Sequence, residues 1–189
     1  MVGESGIALA PPRTPSRTRV WQALWEILHD LSVAVIFCFF VVTFVAQAFR
    51  VQGTSMLPFL EDGQRIIVNK LVYRFRPIER GDVVVFWYPK DPSVSFIKRV
   101  VGLPGETVEL RRGVLYVNGK KVEEQYLEPR FRSDESRGPV EVGRGYYYVL
   151  GDHRNSSNDS RNWGEVPQRY IYGRAFFRFW PLSKLGVIR

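Results

Sequence analysis

The apolar positions of this chain form two different patterns, with the change near residue 50. Leu31 to Phe49, LSVAVIFCFFVVTFVAQAF, is nineteen residues without a charge. As a helix rising about 1.5 Å per residue it covers about 28 Å, close to the hydrocarbon thickness of a bilayer. Trp21 and Trp25 precede the run and suit the membrane interface. The pattern predicts a transmembrane helix over 21–49. Ala46-Gln47-Ala48 at its end is a small-x-small cleavage pattern. The apolar core of a cleaved leader is about 7–15 residues, however, so the run reads as a retained signal anchor. Residues 1–20, with Pro11, Pro12 and Pro15, read as a short disordered tail.

After residue 50 the pattern becomes short runs rich in Val, Ile, Phe and Tyr, the signature of strands. They are 64–72, 82–88, 95–101, 107–111, 114–117, 120–122, 145–150 and 173–180. Asn118-Gly119 between two of them predicts a type I′ hairpin. Gly81, Pro89, Pro92, Gly102, Pro104 and Gly105 punctuate the rest. A small subdomain or excursion is expected around 107–144, with the polar, charged 125–141 as a surface segment. The fold class predicted is mainly β, with one N-terminal membrane helix and a single β-rich domain over 50–189.

Composition narrows the chemistry. The net charge is +8. The first 49 residues hold three arginines and three acids, so the excess lies in the β-rich part. A basic surface suits nucleic acid or anionic lipid, and the apolar run favours lipid. One cysteine, Cys38, allows no intrachain disulfide, and with two histidines a four-ligand zinc site is out of reach. No phosphate-binding Gly-rich loop occurs. Neither metal nor cofactor is expected.

Three segments carry candidate chemistry. In Ser95-Phe96-Ile97-Lys98-Arg99-Val100-Val101, alternation puts Lys98 on one strand face with Phe96 and Val100, and Arg99 on the other with Ile97 and Val101. An ammonium among apolar neighbours loses hydration and its pKa falls; the alternative is an edge lysine reaching water. Gly53-Thr54-Ser55-Met56-Leu57-Pro58 follows the apolar run. Gly53 permits unusual backbone and Pro58 restricts Leu57. Ser55 is thus either a serine held in an exposed turn or part of an ordinary loop. Gly151 to Gly164, GDHRNSSNDSRNWG, is either a solvated loop or a hydroxyl- and ion-pair-bearing support for a catalytic group.

Taken in order, these segments resemble bacterial type I signal peptidases (leader peptidases). The resemblance covers nearly the whole chain and includes Gly81-Asp82-Val83-Val84-Val85-Phe86 and Ile97-Lys98-Arg99-Val100-Val101-Gly102-Leu103-Pro104-Gly105. It implies a coiled antiparallel β-sheet catalytic domain. It also implies a Ser/Lys-dyad serine endopeptidase that removes signal peptides from exported preproteins after small-x-small motifs. By matching position, Ser55 would be the nucleophile and Lys98 the general base. Ser157 would orient the lysine, Asp152 would pair with Arg99, and Asp159 with Arg161. Phe49, Val51, Gln52, Gly53, Met56, Phe96 and Ile97 would line the substrate site. Signal peptides, membrane lipid and the export translocon would be partners, and nucleic acid would not.

The implied location is the plasma membrane, crossed once, with 1–20 cytoplasmic and 50–189 extracytoplasmic. Charge counting does not decide this: three arginines precede the run, and Arg50, Arg65 and Lys70 follow it. The sequence departs from the family pattern in three places. Gly53 stands where some members carry an oxyanion-binding serine, Phe59 where threonine is usual, and His153 where asparagine is usual. Rival readings are a specialised processing peptidase of the same superfamily, a Ser-His-Asp triad through His153, and a non-enzymatic membrane-tethered or RNA-binding β module. Self-cleavage after Ala48 is a further expectation.

Overall fold

The computed structural model describes residues 17–188. The chain divides into two compact units between Val41 and Val42. The first is carried by α1 (Arg17–Phe40), continued by a π-helical stretch over Val41–Val45. Trp21–Val45 is long and apolar enough to cross a membrane. Of the tail predicted as disordered, residues up to 16 lie outside the described ones, and 17–20 are already helical. No proline follows Pro15 in that stretch, so nothing there opposes the helix.

The predicted membrane helix is corrected at its other end. It stops at Val45, and Ala46–Arg50 is an extended strand, β1. The charge-free run does not mark this boundary; tertiary pairing does. β1 pairs antiparallel with β2 (Arg65–Asn69), from Ala46 opposite Asn69 to Arg50 opposite Arg65. Lys70 closes the helical end: its backbone N–H donates to the Val45 carbonyl (2.9 Å) and its Nζ to the Thr43 carbonyl (2.7 Å). These carbonyls have no partner in the next helical turn, and a cation at a helix C-terminus complements its dipole.

The second unit is β-rich, as predicted. Its first sheet adds β3 (Val83–Tyr88), β4 (Asp91–Gly102), β9 (Tyr146–Leu150), β10 (Val166–Pro167), β11 (Ile171–Trp180) and β12 (Gly186–Val187). The order is β1-β2-β11-β3-β4-β9-β10, with β12 on β11, and every pairing among the described residues is antiparallel. The smaller sheet runs β7-β6-β5-β8, from β5 (Thr107–Arg111), β6 (Val114–Val117), β7 (Lys120–Lys121) and β8 (Arg137–Glu141). Asn118 and Gly119 both have positive φ, 50° and 73°, as a type I′ turn requires. Within the segment read as a surface excursion, 137–141 instead forms β8 and pairs with β5.

Alternation sorts side chains into three cores. From β3, Val83 and Val85 enter one cluster with Val51, Met56, Leu60, Ile66 and Val68. Val84 and Phe86 enter another with Val100, Val149 and Trp163. Tyr148 and Leu150 of β9 face a third with Val108, Leu110, Leu115 and Val117 of the small sheet. β4 lies among all three: Ile97 packs on the first, Phe96 and Val100 belong with the second, and Val101 with the third.

Candidate active site

β4 pairs with β3 along Ser95–Arg99, but β9 joins its other edge only from Arg99 onward. Among the described residues Ser95–Lys98 therefore keeps one unpaired edge, beside a cleft of about 300 Å³. Phe49, Val51, Gln52, Gly53, Ser55, Phe96, Ile97 and Lys98 line it. Met56 does not. It is 1% exposed and packed in the first core, because the turn after Ser55 directs its side chain inward; Leu60 N–H donates to the Met56 carbonyl at 2.8 Å. Arg50, Thr54, Ser95, Ser156 and Asn158 also line the cleft, with no local pattern to announce them.

Ser55 and Lys98, 43 residues apart, meet at the inner end: Nζ lies 2.6 Å from Ser55 Oγ. Lys98 is 4% exposed, as expected of the face it shares with Phe96 and Val100. Its amine sits 5.4 Å from the Phe96 ring centroid and donates to the Ile97 carbonyl at 3.1 Å. Burial pushes its pKa down from the ordinary lysine value to about 8, and the charges of Asp159 and Asp152 oppose that shift. An amine titrating there is about 10% neutral at pH 7, against about 0.04% for an ordinary lysine. Such a group can take a proton from a hydroxyl in contact with it.

Around the pair, ion pairs fix two loops. Arg99, 2% exposed, donates through Nε and Nη2 to the two oxygens of fully buried Asp152, at 2.9 and 2.6 Å, and through Nη1 to the Gly81 carbonyl at 2.9 Å. Phe59 and Tyr126 cover its guanidinium at 4.6 and 4.0 Å. Phe59, which departs from the family pattern, thus supplies a cation–π face. Asp159 caps α2 (Ser160–Trp163), accepting from the Arg161 backbone N–H and from its guanidinium at 2.8 and 2.9 Å; its second oxygen also accepts from Gly151 N–H at 3.0 Å.

Gly151 is required by space rather than by dihedral. A Cβ there would lie 2.1 Å from Ser157 Oγ and 2.4 Å from the Ser55 carbonyl. Ser157 is therefore beside the dyad, but its buried hydroxyl has no hydrogen-bond partner among the described residues and does not bond Lys98. His153 meets the serine loop through its backbone. Its N–H donates to the Ser55 carbonyl (3.0 Å), and its ring Nδ1 lies 3.0 Å from the Thr54 carbonyl. The imidazole is thus engaged with a carbonyl, not with Ser55 Oγ. Gly53 has φ +85° and donates to Asp62 Oδ1 at 2.8 Å. Nothing crowds a Cβ there, so the left-handed backbone is what favours glycine.

A family model described as signal peptidase, peptidase S26, matches residues 24–180. The chain belongs to this signal peptidase family. Signal peptidase I of Leptolyngbya laminosa is 42% identical over 188 residues, covering 94% of this chain and 91% of that protein. Signal peptidase I of Bacillus caldolyticus is 42% identical over 155 residues, covering 76% and 84%. Among solved structures, a signal peptidase I from Enterococcus faecalis is 32% identical with a TM-score of 0.47, covering 52% of this chain and 97% of that one. Sequence reasoning missed Glu124 and Tyr126, whose partners Arg154 and Arg99 lie in other segments, so that no motif contains both members of either contact.

Proposed function

We propose that this chain is a membrane-anchored serine endopeptidase that removes signal peptides from exported preproteins after small-x-small motifs, with Ser55 as nucleophile and Lys98 as general base. The observation that carries the reading is the 2.6 Å approach of Lys98 Nζ to Ser55 Oγ within a buried, apolar surround. The neutral amine takes the Ser55 proton as Oγ attacks the scissile carbonyl. Collapse of the tetrahedral intermediate expels the amine of the mature protein, which receives that proton. Water, giving its proton to Lys98, then attacks the acyl-enzyme; the bond to Ser55 Oγ breaks, Lys98 returns that proton to Oγ, and the signal peptide is freed. The Ser55 N–H is one donor for the oxyanion. Gly53 brings no hydroxyl, and its own N–H is held by Asp62.

The unpaired edge at Ser95–Lys98 suits an extended substrate that adds as a strand. Alternate substrate side chains then point one way, so small residues are demanded at the cleavage point and two positions before it. Phe49, Val51, Phe96 and Ile97 provide the apolar walls. Lipid is the second partner. Trp180, Leu182, Leu185 and Val187 are exposed close together in sequence, an apolar set suited to a bilayer surface. Tethering enzyme and substrate to one membrane raises their effective concentration. On this reading 1–20 are cytoplasmic and 50–189 extracytoplasmic, where exported substrates emerge.

The test is cleavage of a preprotein by the detergent-solubilised full chain. Ser55→Ala and Lys98→Ala, both folded, should lose activity by about 10³-fold or more. Turnover near wild type in either variant contradicts the assignment.

A further inference from the structure

Residues 122–136, between β7 and β8 and overlapping the 125–141 segment read from sequence as a surface excursion, supply partners to three arginines around the dyad. Glu124 takes Arg154: one carboxylate oxygen accepts from Nη1 at 3.0 Å and the other from Nη2. The two side chains are 6% and 2% exposed. Tyr126 donates its hydroxyl to Glu124 while its ring covers Arg99. Glu135 accepts from Arg161 at 2.8 Å but is 37% exposed, so Glu124 is the enclosed member.

Arg154 passes this contact inward. Its Nε donates to the Gly151 carbonyl at 3.0 Å. Gly151 is wedged against the Ser55 carbonyl and Ser157, with no room for a methyl group. Two residues on, His153 N–H holds that same Ser55 carbonyl. A displacement of Gly151 must therefore move the backbone that carries Ser55 Oγ. On the other side, Tyr126 packs on Arg99, the neighbour of Lys98 on β4. Glu124 thus touches, through one partner each, the loop behind the serine and the strand that bears the lysine. Neither Glu124 nor Arg154 lines the cleft itself.

We propose that Glu124 is a positioning residue of the peptidase: through Arg154 and Gly151, and through Tyr126 and Arg99, it fixes the separation of Ser55 Oγ and Lys98 Nζ. This rests on the dyad reading above. A proton transfer across 2.6 Å is sensitive to small displacements, and misplacement by about 1 Å costs about 100-fold in rate. Substrate contacts along the cleft walls are left in place, so the loss falls on kcat rather than KM.

The experiment compares full-chain wild type, Glu124→Gln, Tyr126→Phe, Arg154→Met and the double variant Glu124→Gln/Arg154→Met. Each is assayed in detergent on one preprotein substrate, with kcat expressed per folded molecule from circular dichroism. Ser55→Ala and Lys98→Ala serve as reference. Glu124→Gln should lower kcat about 30-fold with KM within about 3-fold, and Tyr126→Phe should lower it about 3-fold. The double variant should fall well short of the product of the single losses, because Glu124 acts in part through Arg154 and keeps only its Tyr126 branch when Arg154 is gone. Wild-type kcat per folded molecule in Glu124→Gln and Tyr126→Phe overturns the proposal, and so does a double-variant loss equal to the product of the single losses. Where Glu124→Gln does not fold, Tyr126→Phe decides, since it keeps the ring over Arg99. Active Ser55→Ala or Lys98→Ala overturns the dyad reading instead, whatever Glu124 does.

Discussion

Lys98 and Arg99 are consecutive cations on one strand, almost equally buried, and their surroundings differ in one respect. Arg99 has a carboxylate in bidentate contact, a carbonyl on a third nitrogen and two aromatic rings over its guanidinium. Lys98 has a hydroxyl, a carbonyl and apolar walls, with its nearest carboxylates acting only at a distance. Burial with a counterion keeps a charge and fixes two segments together. Burial without one drives the amine towards its neutral form. Strand alternation separates the two environments by turning adjacent side chains to opposite faces.

The comparison breaks most sharply if the two cations are made alike. Lys98→Arg keeps the length and charge but cannot deprotonate near neutral pH. The expected loss of kcat/KM is about 10³-fold or more, read in the preprotein cleavage assay with folding checked by circular dichroism. Removing the counterion on the other face tests the structural half. Asp152→Asn leaves Arg99 buried without its charge partner and should lower the unfolding free energy by about 3–5 kcal/mol in chemical denaturation.

A third variant measures what the unpaired amine costs the fold. The native amine titrates at about 8, while the unfolded chain holds its proton to about 10.4. The unfolded state therefore binds more protons between those values, and wild-type stability rises with pH across that window. Lys98→Met should be more stable than wild type at pH 7 by up to about 3 kcal/mol, the gain shrinking between pH 8 and 10.5. A constant difference across that range would mean that Lys98 is not buried as a charge-disfavoured amine. The smallest effect is expected at His153. His153→Asn should change turnover less than about 3-fold, because the backbone N–H that holds the Ser55 carbonyl is retained. A loss of about 1,000-fold would point to an imidazole base instead.

Much of the fold is legible in the sequence because its signals are local. Alternation locates β3, β4, β5, β6 and β9, and Asn118-Gly119 sets the hairpin between β6 and β7. The failures come where distant pairing overrides local pattern. Ala46–Arg50 is part of the apolar run, yet its antiparallel partner β2 makes it a strand. Arg137–Glu141 contains Gly and Pro and alternates poorly, yet it pairs with β5. The site divides in the same way. The apolar face under Lys98 can be read from its neighbours at i±2, whereas its approach to Ser55 depends on 43 residues of intervening fold. Met56 shows the limit of positional transfer: its matching position in the family pattern placed it at the cleft, and the turn buries it. Arg154 is read as part of a solvated loop because its partner, Glu124, lies 30 residues upstream.

The central claim is that an uncharged lysine activates the serine, and the pH dependence of kcat/KM for the wild-type chain tests it most directly. Activity should rise with pH along a single ascending limb with an apparent pKa of about 8, the value set by burial of Lys98. A limb near about 6.5 that disappears in His153→Asn, or a rate independent of pH between about 6 and 9, would contradict the account.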